Sequence, residues 1–71
     1  MARTRDLERH YPARQFAGKL RRLAAALEAG RPFRLQLAGE RLTIPADAHI
    51  SIEHERAHGT AEIEFQLRWR A

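Results

Sequence analysis

No cysteine occurs among the 71 residues. Disulfides, thiolate metal sites and cysteine nucleophiles are therefore excluded. Serine is almost as scarce: Ser51 stands alone, and no base and orienting acid surround it in a defensible order. A glycine-rich phosphate loop is missing too. No apolar run is long enough for a membrane span. Met1 to Asp6 are mostly charged or polar and lack the apolar core of a secretory signal. The expectation is a cytoplasmic protein without a membrane segment, and the missing cysteines fit a reducing compartment.

Lysine is nearly absent: of 13 basic residues only Lys19 is lysine, and the net charge is +4. An excess of arginine raises the question of a nucleic-acid partner, for which a basic stripe is the useful sign rather than a basic total. Acidic residues are interspersed along much of the chain, so the total is not one block. Length allows one domain, residues 1–71, and a domain this small is marginal on its own. With disulfides excluded, metal binding or oligomerisation remains as reinforcement.

The apolar spacing has two regimes. Phe16, Leu20, Leu23 and Leu27 are spaced as one stripe of a helix over about residues 12–29. Pro12 suits a first turn, Gly30 a left-handed end, and Pro32 prevents continuation. Gly18 is the weak point inside the helix. Beyond Pro32 the period becomes two, giving strands at about 33–38, 41–44, 48–56 and 60–70. Gly39-Glu40 suits a II′ hairpin turn, Pro45-Ala46-Asp47 breaks the chain, and His58-Gly59 turns it again. Residues 3–10 show no clean period and are assigned to a short extra edge strand or an arm. The expected fold is α+β: one amphipathic helix packed on a four-stranded antiparallel meander.

A two-residue turn at His58-Gly59 fixes a register. It sets Glu55 against Glu62, Glu53 against Glu64, Ile52 against Phe65, Ile50 against Leu67 and Ala48 against Trp69. Four carboxylates then share the outer face, where like charges in opposition are mildly unfavourable. Pairing Ile44 with Ile50 across the proline bend would bring Arg41 opposite Glu53 and relieve one of them, and Arg68 would face His49. The cluster reads first as a solvated, partly paired sheet face.

Glu53-His54-Glu55-Arg56-Ala57-His58 also invites a metal reading, since histidine and carboxylates bind zinc or manganese. Strand alternation turns His54 away from Glu53 and Glu55 and leaves His58 in the turn, so the ligands do not converge. His54 is expected at the end of the core, satisfied by a backbone group. Paired carboxylates could perform acid–base chemistry, but a flat face supplies neither a cleft nor desolvation. No enzyme activity, metal or cofactor is therefore expected.

Arg14, Arg21 and Arg22 fall on the outer side of the helix and Arg31 follows it. They form the candidate basic surface, extended by Arg3, Arg5 and Arg9. Interleaved aromatics for base stacking are lacking, which weakens the nucleic-acid reading. Phe65, Leu67 and Trp69 alternate along the last strand and are core by default, with the Trp69 indole N–H able to reach water at the rim.

The last strand, Glu62-Ile63-Glu64-Phe65-Gln66-Leu67-Arg68-Trp69, follows Leu20-Arg21-Arg22-Leu23-Ala24, Leu27-Glu28-Ala29-Gly30, Phe33-Arg34-Leu35-Gln36-Leu37-Ala38-Gly39-Glu40-Arg41 and Ile52-Glu53-His54-Glu55-Arg56. Together these resemble the amphi-Trp domain, a small prokaryotic domain named for an amphipathic segment ending in tryptophan. The resemblance runs from about residue 6 to Trp69. It implies a self-contained domain and carries over no catalytic, cofactor-binding or ligand-binding residue.

Four strands span roughly 15–19 Å, while one helix is about 10 Å wide. A strip of the apolar sheet face should stay uncovered, and such patches mark interfaces. The expectation is a non-catalytic association module, a homodimer or the binder of another protein. It would use the face near Phe65, Leu67 and Trp69 or the free edge of the last strand. Nucleic-acid binding through the arginines is the second reading.

Overall fold

The protein is described by a computed structural model covering residues 8–71. Helix α1 spans Ala13–Ala29, followed by strands β1 (Phe33–Leu37), β2 (Glu40–Ile44), β3 (His49–Ala57) and β4 (Thr60–Arg68). Residues 8–10 are not in a strand. Residues 3–7 of the suggested extra strand, with Arg3 and Arg5, lie outside the described residues.

The helix begins and ends where local chemistry dictates. Pro12 occupies the N-cap with extended backbone and no side-chain cap, while its carbonyl accepts the Phe16 N–H at 3.0 Å. At the other end Gly30 is left-handed, with φ 66°. Its N–H reaches the Leu27 carbonyl at 3.2 Å, and the Arg31 N–H reaches the Ala26 carbonyl at 2.9 Å. That pair of bonds is the Schellman arrangement, which satisfies two otherwise orphaned carbonyls.

Both hairpins close through two residues with positive φ. In the first, Ala38 and Gly39 have φ of 50° and 80°; in the second, His58 and Gly59 have φ of 52° and 79°. These are type I′ turns, whose twist matches that of paired strands. The His58-Gly59 turn was expected. The first turn is Ala38-Gly39 rather than Gly39-Glu40, so Leu37 faces Glu40, Leu35 faces Leu42 and Phe33 faces Ile44. Either turn keeps Leu35, Leu37, Leu42 and Ile44 on one face, so alternation cannot choose between them. Gly39 supplies a positive φ in either turn, at the first position of II′ or the second of I′; the chain takes the I′ form, with Ala38 left-handed as well.

The sheet is not a four-stranded meander. β1 pairs with β2 and β3 with β4, in two separate antiparallel sheets of two strands. Ala48 N–H closes a turn on the Pro45 carbonyl at 3.2 Å. Neither Ala46 nor Asp47 has positive φ, so this is not one of the primed two-residue turns that close the two hairpins. Pro45 also lacks the N–H that a ladder would use. β2 therefore has no β3 neighbour: the expected pairings of Ile44 with Ile50 and of Arg41 with Glu53 do not form, and these residues face only Phe33 and Gln36 of β1. The class is α+β, with one helix and two hairpins.

The helix packs chiefly on β1. Only Ala26 and Ile44 are buried among the described hydrophobic residues, each 7 % exposed. The radius of gyration is 13.8 Å, against about 11 Å for a compact chain of this length. The first hairpin and helix share a small core, and the second hairpin contributes little to it.

Candidate association surface

The β3–β4 ladder has the register that a two-residue turn at His58-Gly59 implies. Glu55 faces Glu62, Glu53 faces Glu64, Ile52 faces Phe65, Ile50 faces Leu67 and His49 faces Arg68. Ala48 and Trp69 fall just outside the ladder. One face of the hairpin is thus apolar and the other polar, as the period of two requires.

On the polar face, Ser51 Oγ donates to Gln66 Oε1 at 3.2 Å, and Gln66 Nε2 donates to Glu53 Oε1 at 3.0 Å. The Gln66 amide therefore links two exposed neighbours and compensates one carboxylate. Glu55, Glu62 and Glu64 crowd together, with one carboxylate oxygen of each within 4.8 Å of the others. His54 and His58 do not belong to this group: His54 alternates onto the apolar face opposite Ile63, and His58 forms the turn. His54 is exposed instead of being held at the end of a core, since no element among the described residues covers that end of the hairpin.

The apolar face is where the structure departs most from a self-sufficient domain. Ile50, Ile52, Ile63 and Phe65 are each more than half exposed. Leu67 and Trp69, expected to share the association surface with Phe65, are half-buried. The exposed apolar area therefore centres on the middle of the hairpin, displaced from Trp69 toward the turn. Alternation could not reveal this, because a strand face bound to a partner has the same pattern as one bound to its own core.

The helix leaves apolar surface open as well. Phe16 is more than half exposed, and Leu20 and Leu27 are exposed to a lesser degree. Phe16, Leu20 and Leu23 line a cleft of about 390 Å³ whose other walls come from β1 and from Ile63 and Phe65 of β4. Tyr11 and Lys19 stand at this cleft, with Lys19 Nζ 4.8 Å from the Tyr11 ring centroid. The Arg9 guanidinium carbon lies 5.6 Å from the same centroid. Two cations thus share one aromatic face system, an arrangement favoured by the ring quadrupole.

Arg9 stands beside Tyr11 at the cleft, but the other described residues of the candidate basic surface do not line it. Arg14, Arg21, Arg22 and Arg31 are all exposed. At 100° per residue, Arg14 and Arg21 lie on the side of the helix opposite Phe16 and Leu20. No aromatic side chain shares that side of the helix between Ala13 and Ala29. Among the described residues, no helix is long and apolar enough to cross a membrane. No family model, curated protein or solved structure matches the chain.

Proposed function

We propose that this chain is a small non-catalytic association module that pairs with a second copy of itself through the apolar surface shared by α1 and the β3–β4 hairpin. One observation carries the reading: Phe16, Ile50, Ile52, Ile63 and Phe65 are each more than half exposed, while among the described residues only Ala26 and Ile44 are buried. Fully burying one such side chain is worth about 1.5–3 kcal/mol, so leaving five in water forgoes a large part of what a marginal domain needs. Covering them with a partner recovers it. The resemblance to the amphi-Trp domain is compatible with this reading and supplies no ligand.

Sedimentation equilibrium from low to high micromolar concentration tests the reading. A monomer–dimer equilibrium is the expected result. A monomer throughout that range rejects self-association.

The second reading is a nucleic-acid accessory protein, favoured by the exposed Arg14, Arg21, Arg22 and Arg31. Phosphate contacts would make log affinity fall steeply with log salt. Filter binding to duplex and single-stranded oligonucleotides at several salt concentrations tests it. No retention at low salt rejects it.

A further inference from the structure

The self-association reading leaves open how two copies meet, and the structure narrows the answer. Ile50 and Ile52 project from β3 on the apolar face and are not part of the cleft wall. They form a ridge beside Leu67 and Phe65 of β4, more than half exposed and covered by no other element among the described residues. The cleft between α1 and β4 is concave, and Phe16, Leu20, Ile63 and Phe65 in its wall are themselves exposed. Ridge and cleft are each incomplete, and both are apolar.

Size supports a second copy as the occupant. Taking roughly 200 Å² for a fully exposed large apolar side chain, the six exposed ones of the ridge and the cleft wall present about 650 Å². A stable interface buries about 800 Å² on each partner. One further copy therefore accounts for the area without any other component. A two-fold axis also makes ridge-into-cleft contacts occur twice and closes the assembly at two chains. Ridge-on-ridge packing would bury β3 residues and leave both clefts open.

We propose that two copies exchange these features: the Ile50–Ile52 ridge of one chain seats in the α1–β4 cleft of the other, lined by Phe16, Leu20, Ile63 and Phe65, and the second ridge is received in return. The inference rests on the self-association reading and is tested so that the two can fail separately. The chain has no cysteine, so single-cysteine variants report on one position each. Phe16→Cys and Ile52→Cys chains, one carrying a mass tag, are mixed and oxidised, and the linked species are resolved by mass spectrometry.

The expected product is the mixed 16–52 disulfide, in several-fold excess over the 16–16 and 52–52 species. A dimeric chain whose main product is 52–52, or which yields no 16–52 link, overturns the exchange and leaves self-association standing. A chain that sediments as a monomer overturns both. As an independent reading, Ile52→Glu is expected to weaken the dimer at least tenfold. The circular dichroism of the dilute monomer should not change, because Ile52 is exposed in the single chain. Dimerisation of Ile52→Glu at wild-type strength also overturns the exchange.

Discussion

Ile52 and Phe65 face each other directly across the β3–β4 ladder, on the same side of the hairpin, and are 65 % and 63 % exposed. Their counterparts in the first hairpin behave differently: Ile44, which faces Phe33, is only 7 % exposed. The same cross-strand pairing of an isoleucine with a phenylalanine thus sits in a core in one hairpin and in water in the other. Anything that binds the folded chain and not the unfolded one raises its apparent stability with concentration. Thermal unfolding of the wild type should therefore shift upward between low and high micromolar chain. Phe65→Glu should abolish that dependence. Ile44→Ala, by contrast, should cost about 2–4 kcal/mol at every concentration, as core truncations do. A wild-type midpoint that does not move with concentration would count against the association surface.

The first hairpin turn makes a separate prediction. Ala38 holds φ at 50° beside Gly39 at 80°, and a residue with a Cβ pays about 1–2 kcal/mol in the left-handed region. Asparagine tolerates that region, and Asn-Gly is the preferred type I′ pair. Ala38→Asn should therefore raise the stability by about 1 kcal/mol in urea denaturation. Gly39→Ala should lower it by a similar amount, since nothing crowds the site and only the backbone conformation objects. Were the turn at Gly39-Glu40, Ala38→Asn would bring no gain.

How much of this was legible beforehand differs from element to element. The helix was legible because Gly30 and Pro32 stop it chemically and the four-three-four spacing of its apolar residues has only one periodic reading. The β3–β4 register was legible because His58-Gly59 suits a two-residue turn and any one-residue slip would scatter Ile50, Ile52, Phe65 and Leu67 over both faces. The first hairpin was half legible. Its two candidate turns differ by one residue in placement, which shifts the pairing by two and puts the same side chains on the same face. The separation into two sheets was not legible, since the Pro45-Ala46-Asp47 break and the alternation on either side of it fit a meander and two separate hairpins equally. The shift of exposed apolar area from Trp69 to Ile52 and Phe65 follows from that separation.

Gly18 lies in the middle of α1, and a methyl added there would meet nothing closer than Arg22 Nη1 at 3.8 Å. That is ordinary contact with the end of a flexible side chain. Glycine inside a helix is worse than alanine by about 0.8–1.0 kcal/mol. Gly18→Ala should accordingly stabilise the chain by about 1 kcal/mol, read from the urea midpoint. Gly18 lies on the side of the helix away from Phe16 and Leu20, so the dimer dissociation constant should stay the same. A loss of association on this substitution would place the interface on the wrong side of α1.

The crowded carboxylates on the outer face of the second hairpin allow an electrostatic test that leaves the apolar face untouched. Glu55 faces Glu62 directly, and Glu64 stands close enough for all three to bring an oxygen within 4.8 Å of the others. Arg41, which a meander would have set opposite the neighbouring Glu53, lies on β2, and β2 pairs with β1 alone. Like charges facing across two strands destabilise, and opposite charges there contribute about 0.2–1 kcal/mol. Glu62→Lys converts two repulsions into attractions at one position. It should raise stability by up to about 1 kcal/mol in dilute buffer. The gain should shrink on adding salt to about 1 M, where the screening length falls to roughly 3 Å. Glu62→Gln, which removes the repulsion without adding attraction, should give a smaller gain with the same sign of salt dependence. Equal stability of all three chains at low salt would mean that the carboxylates avoid one another in solution. The observed cluster would then describe side-chain placement and not an energetic cost.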